Sequence, residues 1–248
     1  MPRPVRQPVR QVLRQAVRRA VTAAAEYGVA RAGMAVVRAL DRDVIGQAHH
    51  PRGAAGCVTG WEMAHRPSNR QRSDWVVSLL GVQPADQVLE IGFGPGLAIA
   101  ALVRAGAGHV YGIDHSGVMF RQASRRNAAA IRAGQVTLIR ASADQIPPAL
   151  DGPFDAILAI NSLGFWPAPA ERLAELGRRL APGGRMAIAS QPRCPGATAD
   201  TSRSAAREIE NLLRDSGFTH PSTQTLPLSP PVACVLAASP APETSHTP

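Results

Sequence analysis

Between residues 87 and 190 the chain alternates short apolar runs with helical patterns. The runs at 87–91, 109–113, 136–140, 154–160 and 185–190 are of strand length and end in polar or glycine-rich turns. Between them the apolar residues shift to helical spacing, over 97–104, from 117 to about 132, and over 168–180. Strand and helix alternating at this interval predict parallel βαβ units. The run at 154–160 is almost continuously apolar, as a central parallel strand buried on both faces should be. A helix over 205–216 and two closing strands, 223–228 and 231–237, complete the pattern. Upstream, Ser68 and Gln71 match a capping box for a helix with Trp75, Val76, Leu79 and Leu80 on its apolar face, and Gly81 fits its stop.

The N-terminal region reads differently. Val9, Val12, Leu13, Ala16, Val17, Ala20 and Val21 follow helical spacing, while Arg10, Arg14 and Arg18 line another face. Three readings stay open for 9–40: peripheral contact with an anionic membrane or an acidic partner, a domain-packing helix, or an accessory extension, which is preferred. The long uncharged core and cleavage site of a secretory signal are absent, and no run of eighteen apolar residues predicts a transmembrane segment. Residues 43–66 read as an irregular lead-in. Trp61, Met63 and His65 either line a lid over a bound ligand or simply pack the lead-in onto the domain. His49 and His50 are adjacent, which does not suit two ligands on one helix face, and are read as solvated.

The chemistry concentrates where the first strand ends. Glu90-Ile91-Gly92-Phe93-Gly94-Pro95-Gly96 joins that strand to the helix beginning at Leu97. Strand, glycine turn and helix start bring backbone N–H groups close to a nucleotide-like ligand. A carboxylate at Glu90 repels a pyrophosphate and favours a cationic or hydroxyl-bearing ligand. Asp114 ends the second strand, where its two oxygens can accept from both ribose hydroxyls, or else it caps the following helix.

Val88-Leu89-Glu90-Ile91-Gly92-Phe93-Gly94-Pro95-Gly96 resembles the first motif of the class I S-adenosylmethionine-dependent methyltransferases, of the small-molecule, type 11-like kind. The spacing is G-x-G-x-G, with Leu97 where a dinucleotide-binding G-x-G-x-x-G turn has its last glycine. Leu180-Ala181-Pro182-Gly183-Gly184 is similar to the turn before the fifth strand of that class. The resemblance covers about 68–238. It implies a Rossmann-like, doubly wound, mostly parallel seven-stranded α/β sheet, here with an N-terminal helical extension. The cofactor implied is S-adenosyl-L-methionine, held by Glu90, Gly92, Gly94, Gly96, Asp114, His115, Ser142, Ala143 and Asn161. Ser142 stands where the family commonly has the adenine-binding Asp, and Asp144 lies two residues on. The class also implies Val118 and Met119 beside the adenine. Asn161, at the mouth of the fourth strand, and His65, a base for a protic acceptor, are the catalytic candidates. Phe165 and Trp166 either wall the site or cover the sheet. Gln191 and Arg193 lie at the mouth of the fifth strand, and Asp155 at the opposite edge reads as structural.

Composition narrows the partners. The 248 residues carry a formal charge of +9, and all 27 basic residues are arginine, a pattern of coding bias more than of phosphate binding. Residues 1–48 hold nine arginines against three acids, so the basicity belongs mainly to that segment. The expected division is 1–48 as an Arg-rich extension, 49–238 as the methyltransferase domain and 239–248 as a loose tail. Cys57, Cys194 and Cys234 form no metal pattern, so no metal is expected and a reducing, cytoplasmic setting is. The expected partner is a small-molecule methyl acceptor. Nucleic acid is not favoured, because the remaining basic residues are scattered. A protein acceptor stays open, and the sequence does not speak to oligomeric state. Two alternatives remain. One is an NAD(P)-dependent oxidoreductase on a similar sheet. The other is a non-catalytic cofactor-binding protein with an anionic-surface-binding N-terminal helix.

Overall fold

A computed structural model describes residues 65–194 and 196–239. The expectations for the N-terminal extension, for Trp61 and Met63 and for the tail past residue 239 lie outside these. The described chain runs α1 (Pro67–Leu80), β1 (Gln87–Ile91), α2 (Leu97–Ala105), β2 (His109–Ile113), α3 (Gly117–Arg126), α4 (Ala128–Arg132) and β3 (Val136–Ile139). It continues with β4 (Phe154–Ile160), α5 (Pro169–Arg178), β5 (Leu180–Ser190), α6 (Ala199–Asp215), β6 (Thr219–Leu226) and β7 (Val232–Ala238). The seven strands form one sheet in the order β3-β2-β1-β4-β5-β7-β6, in which only the pairings of β7 are antiparallel. The order reverses between β1 and β4, the switch point at which open α/β sheets bind ligands.

Each face of the sheet has its own core. On one, Val76, Val77 and Leu80 of α1 pack with Ile99 and Leu102 of α2, Met119 and Ala123 of α3, and Val88, Val110 and Leu158 of the sheet. On the other, Leu173 and Leu176 of α5 and Ile209 and Leu213 of α6 cover Leu89, Ile157, Met186 and Val235. The apolar side chains of β4 are buried toward both layers, as its composition requires.

The departures from the sequence reading have local causes. Helix α1 starts at Pro67 with Arg66 as N-cap and no side-chain cap, so the Ser68–Gln71 capping box does not form. Proline at the first helical position loses no needed N–H, and it draws the start two residues upstream. The helix expected from 117 to 132 breaks at Asn127, whose side-chain Nδ2 donates to Ala123 O and to Gly96 O. Strand β5 begins at Leu180, paired with Phe154; residues 181–184 then bulge before Arg185 pairs with Ala156. Helix α6 starts at Ala199, six residues earlier than expected, behind a capping box of Thr198 and Thr201.

Helix α1 is fastened at both ends. At the base of the sheet Arg185 donates to Leu80 O and Gly81 O and pairs with Asp86. At the strand mouths Arg72 Nη1 donates to Gln191 Oε1 at 2.7 Å. Asp155 accepts from Gln87 N–H at 2.7 Å, the structural role expected of it.

Candidate active site

The mouths of β1 and β2 carry two buried acids with a glycine loop between them. Gly92 N–H donates to Ile113 O, which turns the chain toward β2 directly after β1. Gly92 has φ +79°, and a Cβ there would lie 2.6 Å from Ser162 Cβ. Ser162 Oγ donates to Ile91 O at 2.6 Å and locks the end of β4 to the end of β1. Gly96 meets a similar barrier from Ala123 and Asn127. Gly94 differs: a Cβ there would meet nothing within 4 Å, so this is the glycine that opens outward. Arg126 Nε donates to Pro95 O at 2.9 Å and clasps the loop from α3.

Asp114 holds that loop. Its Oδ2 accepts from Gly94 N–H and its Oδ1 from Ser116 N–H, both at 2.8 Å. Ser116, not Asp114, is the N-cap of α3. Burial raises the Asp114 pKa, and the two N–H groups and nearby His115 oppose the rise. The His115 ring Nδ1 lies 3.9 Å from Asp114 Oδ1. Glu90 is only 2% exposed, and its Oε2 has no hydrogen-bond partner. Burial, then the charge of Asp114, push its pKa up to about 8, against the Ile99 backbone N–H. Each Asp114 oxygen keeps lone-pair capacity beyond its one N–H. An orphaned carboxyl oxygen, an outward-opening glycine and an acid with spare acceptors fit a ligand that brings hydroxyls and positive charge.

The mouths of β4 and β5 form a second cluster. Asn161 adopts a left-handed backbone (φ 55°), and its Oδ1 accepts from Gln191 N–H at 2.7 Å. Gln191 Nε2 donates to Pro230 O at 2.8 Å. Gln191 Oε1 accepts from Arg72 Nη1 at 2.7 Å and from Arg193 Nη2 at 2.8 Å. Arg193 Nη2 also reaches Asn69 Oδ1 at 2.9 Å. Burial, then the Arg193 guanidinium, draw the Arg72 pKa down to about 10.

The structure therefore brings Glu90, Gly92, Gly94, Gly96, Asp114 and His115 together around β1 and β2. Asn161 belongs to the neighbouring cluster. Ser142 follows β3 with its hydroxyl bonded to Asp144, and Ala143 packs against the core. His65 is exposed just before α1. Trp166 is 8% exposed and sits in the core, so it covers the sheet and does not wall the site, whereas Phe165 is 47% exposed. The sequence reading missed Asn69, Arg72 and Ser162. For the first two a signal existed: Asn69, Arg72 and Ser73 continue the stripe of Val76, Val77 and Leu80 on the buried side of α1. Among the described residues no group of His, Cys, Asp and Glu could hold a metal ion, and no helix is long and apolar enough to cross a membrane.

Seven strands in this order, with acids ending β1 and β2 around a glycine loop, define the Rossmann-like class I methyltransferase architecture. A family profile described as "Methyltransferase domain" matches residues 88–184. The uncharacterized methyltransferase YdaC of Bacillus subtilis strain 168 is 29% identical over 187 residues, covering 74% of this chain and 99% of YdaC. Among solved structures, a SAM dependent methyltransferase from Aquifex aeolicus aligns with TM-score 0.59 at 21% identity, over 72% of this chain and 96% of that one. The N-methyltransferase NodS from Bradyrhizobium japonicum WM9, in complex with S-adenosyl-L-homocysteine, aligns with TM-score 0.57 at 18% identity, over 73% of this chain and 92% of NodS. These structural likenesses establish the fold. The family match over residues 88–184 and the similarity to YdaC bear out the resemblance to class I S-adenosylmethionine-dependent methyltransferases read from the sequence.

Proposed function

We propose that the protein transfers a methyl group from S-adenosyl-L-methionine to a small-molecule acceptor. One observation carries the reading: the orphaned, buried Glu90 carboxyl lies across an outward-opening Gly94 from Asp114. When bound, the cofactor supplies a methyl group on a cationic sulfur, already activated for in-line displacement. The chain's own residues then have to align and exclude. Asp114 accepts from the ribose hydroxyls while keeping its two N–H partners, so the ribose site and the Gly94 loop are held by one carboxylate. Glu90 faces the cationic part of the donor, where a neighbouring positive charge favours its ionised form. Ser142, Ala143 and His115 border the adenosine side.

Asn161 orients the acceptor half through Gln191, and alignment of this kind supplies much of the acceleration in such transfers. For a protic acceptor the candidate base is His65. It adjoins Arg66, whose charge acts on Arg193 in the acceptor cluster. A small acceptor is supported by the make-up of that cluster, in which buried Asn69, Arg72 and Gln191 offer a few directed polar groups beside the exposed Arg193. The nicotinamide alternative is disfavoured by two buried acids flanking the loop that would have to meet a pyrophosphate.

Calorimetric titration with S-adenosylhomocysteine, and separately with NADH and NADPH, tests the assignment. Saturable binding of the first alone is the expected result and leads to an acceptor screen with labelled donor. Binding of a nicotinamide would overturn it.

A further inference from the structure

The cluster at β4 and β5 fastens α1 with more positive charge than its hydrogen bonds to neutral amides balance. Arg72 lies on the buried side of α1, 8% exposed, where its neighbours one turn on are valines. A buried guanidinium is ordinarily paired with a carboxylate. Among the described residues neither Arg72 nor Arg193 takes part in any ion pair. The two cations converge on the neutral oxygen of Gln191. That oxygen has two lone pairs, and both are used. Arg72 Nε remains buried with no partner at all. Two like charges held side by side on one amide, with a donor to spare, are an electrostatic deficit that a bound oxyanion would fill.

The surrounding amides are turned to suit such a ligand. Gln191 Nε2 is drawn away to Pro230 O, and Asn69 Oδ1 takes one Arg193 donor. Both amides thus present oxygen to the guanidiniums, and the side-chain N–H of Gln191 is turned aside. Arg72 is deep, while Arg193 is exposed, so the pair runs from the interior to solvent. Its place relative to the donor half follows from strand order. Gln191 directly follows β5, two strands from β1, and neighbouring strands lie about 4.8 Å apart. The pair therefore lies on the far side of β4 from Asp114.

We infer that Arg72 and Arg193 form an oxyanion subsite for the methyl acceptor, so that the acceptor carries a carboxylate or phosphate group. This rests on the methyltransferase reading above and names the substrate class of the same site. The remaining guanidinium edges bind the anion, and Gln191 sets their separation. The acceptor enters with its charge against Arg193 and seats it toward Arg72, which leaves its reactive atom directed to β4.

The test uses the full chain saturated with S-adenosylhomocysteine and three probes of similar shape: benzoate, phenyl phosphate and neutral benzamide. Calorimetry should show at least one anion binding about tenfold tighter than benzamide, the worth of one charge-assisted hydrogen bond. The tighter anion tells carboxylate from phosphate. Arg193→Gln and Arg72→Gln should each erase the preference while the affinity for S-adenosylhomocysteine stays within about twofold. Should Arg72→Gln fail to fold, the exposed Arg193→Gln decides. No preference for either anion, including no binding of either, overturns the inference, as does a preference that survives both substitutions. A fall in S-adenosylhomocysteine affinity that parallels the loss of anion binding assigns the pair to the cofactor's own carboxylate and also overturns it. Failure of the unaltered protein to bind S-adenosylhomocysteine is a separate result, which removes the methyltransferase reading itself.

Discussion

The mouths of β1 and β2 and the mouths of β4 and β5 are adjacent on one sheet, yet they are built in opposite ways. The first pair presents carboxylates, Glu90 and Asp114, held against backbone N–H groups. The second presents guanidiniums, Arg72 and Arg193, held against side-chain amides. In the first, all the chemistry comes from residues close to one glycine turn. In the second it comes from positions 69, 72, 161, 191 and 193, gathered from α1 and from two strand ends. The difference teaches that one cluster is set by the local geometry of a compact motif, whereas the other is assembled from dispersed positions that only the fold brings together.

The comparison breaks most sharply at Asp114. On the proposed ribose role, Asp114→Ala removes those acceptors and also releases Gly94, so affinity for S-adenosylhomocysteine should fall about a hundredfold, roughly 2.7 kcal/mol. Unchanged affinity by calorimetry would remove Asp114 from the donor half.

Glu90 comes next. Its pKa is raised from an ordinary 4.5 to about 8, so in that interval the folded protein keeps a proton that the unfolded chain has released. The stability associated with this site is complete below the lower value and is lost as pH rises through the upper one. Glu90→Gln removes that dependence. The ligand-free variant should match the parent near pH 4.5 and exceed it by on the order of 5 kcal/mol near pH 9 in denaturant titrations. Parallel stability curves across that range would show that Glu90 is not a buried, protonated acid.

Asn161→Ala probes the other half. Turnover should drop about tenfold, with cofactor affinity moving less than about twofold, because the lost bond is to Gln191 and not to the donor loop. Equal loss of both would merge the two halves into one site. The smallest effect is expected at Ser142. Its hydroxyl is directed to Asp144, so Ser142→Ala should change affinity for S-adenosylhomocysteine by less than about twofold. A larger loss would mean that the hydroxyl turns to the adenine when the cofactor is present.

The same contrast explains what could be read from the sequence. Strands β1, β2 and β4 were legible to the residue, because their apolar runs are short, dense and ended by glycine or a polar residue. Glu90, the glycines and Asp114 were legible because local spacing sets their geometry. The Asn161–Gln191 bond was not: the residues are thirty positions apart and meet only because β4 and β5 pair in one particular register. Arg72 was hidden for a different reason. A lone arginine in a helix reads as a solvated side chain until the face it shares with Val76 and Leu80 is taken into account. Trp166 stayed open between walling the site and covering the sheet because an aromatic in a loop carries no sign of which way it turns. The break at Asn127 depended on Gly96, a residue on another helix start, and so lay beyond any local pattern.

Gln191 joins the acceptor half through the oxygen of a neutral amide. A glutamate codon differs from a glutamine codon by one base, and the side chains differ by an oxygen in place of an NH2. That exchange would hand both arginines an internal counter-ion and forfeit the bond to Pro230 O. The pull of this cluster on an anion is thus one point mutation from being weakened, with the carboxylates at β1 and β2 left untouched.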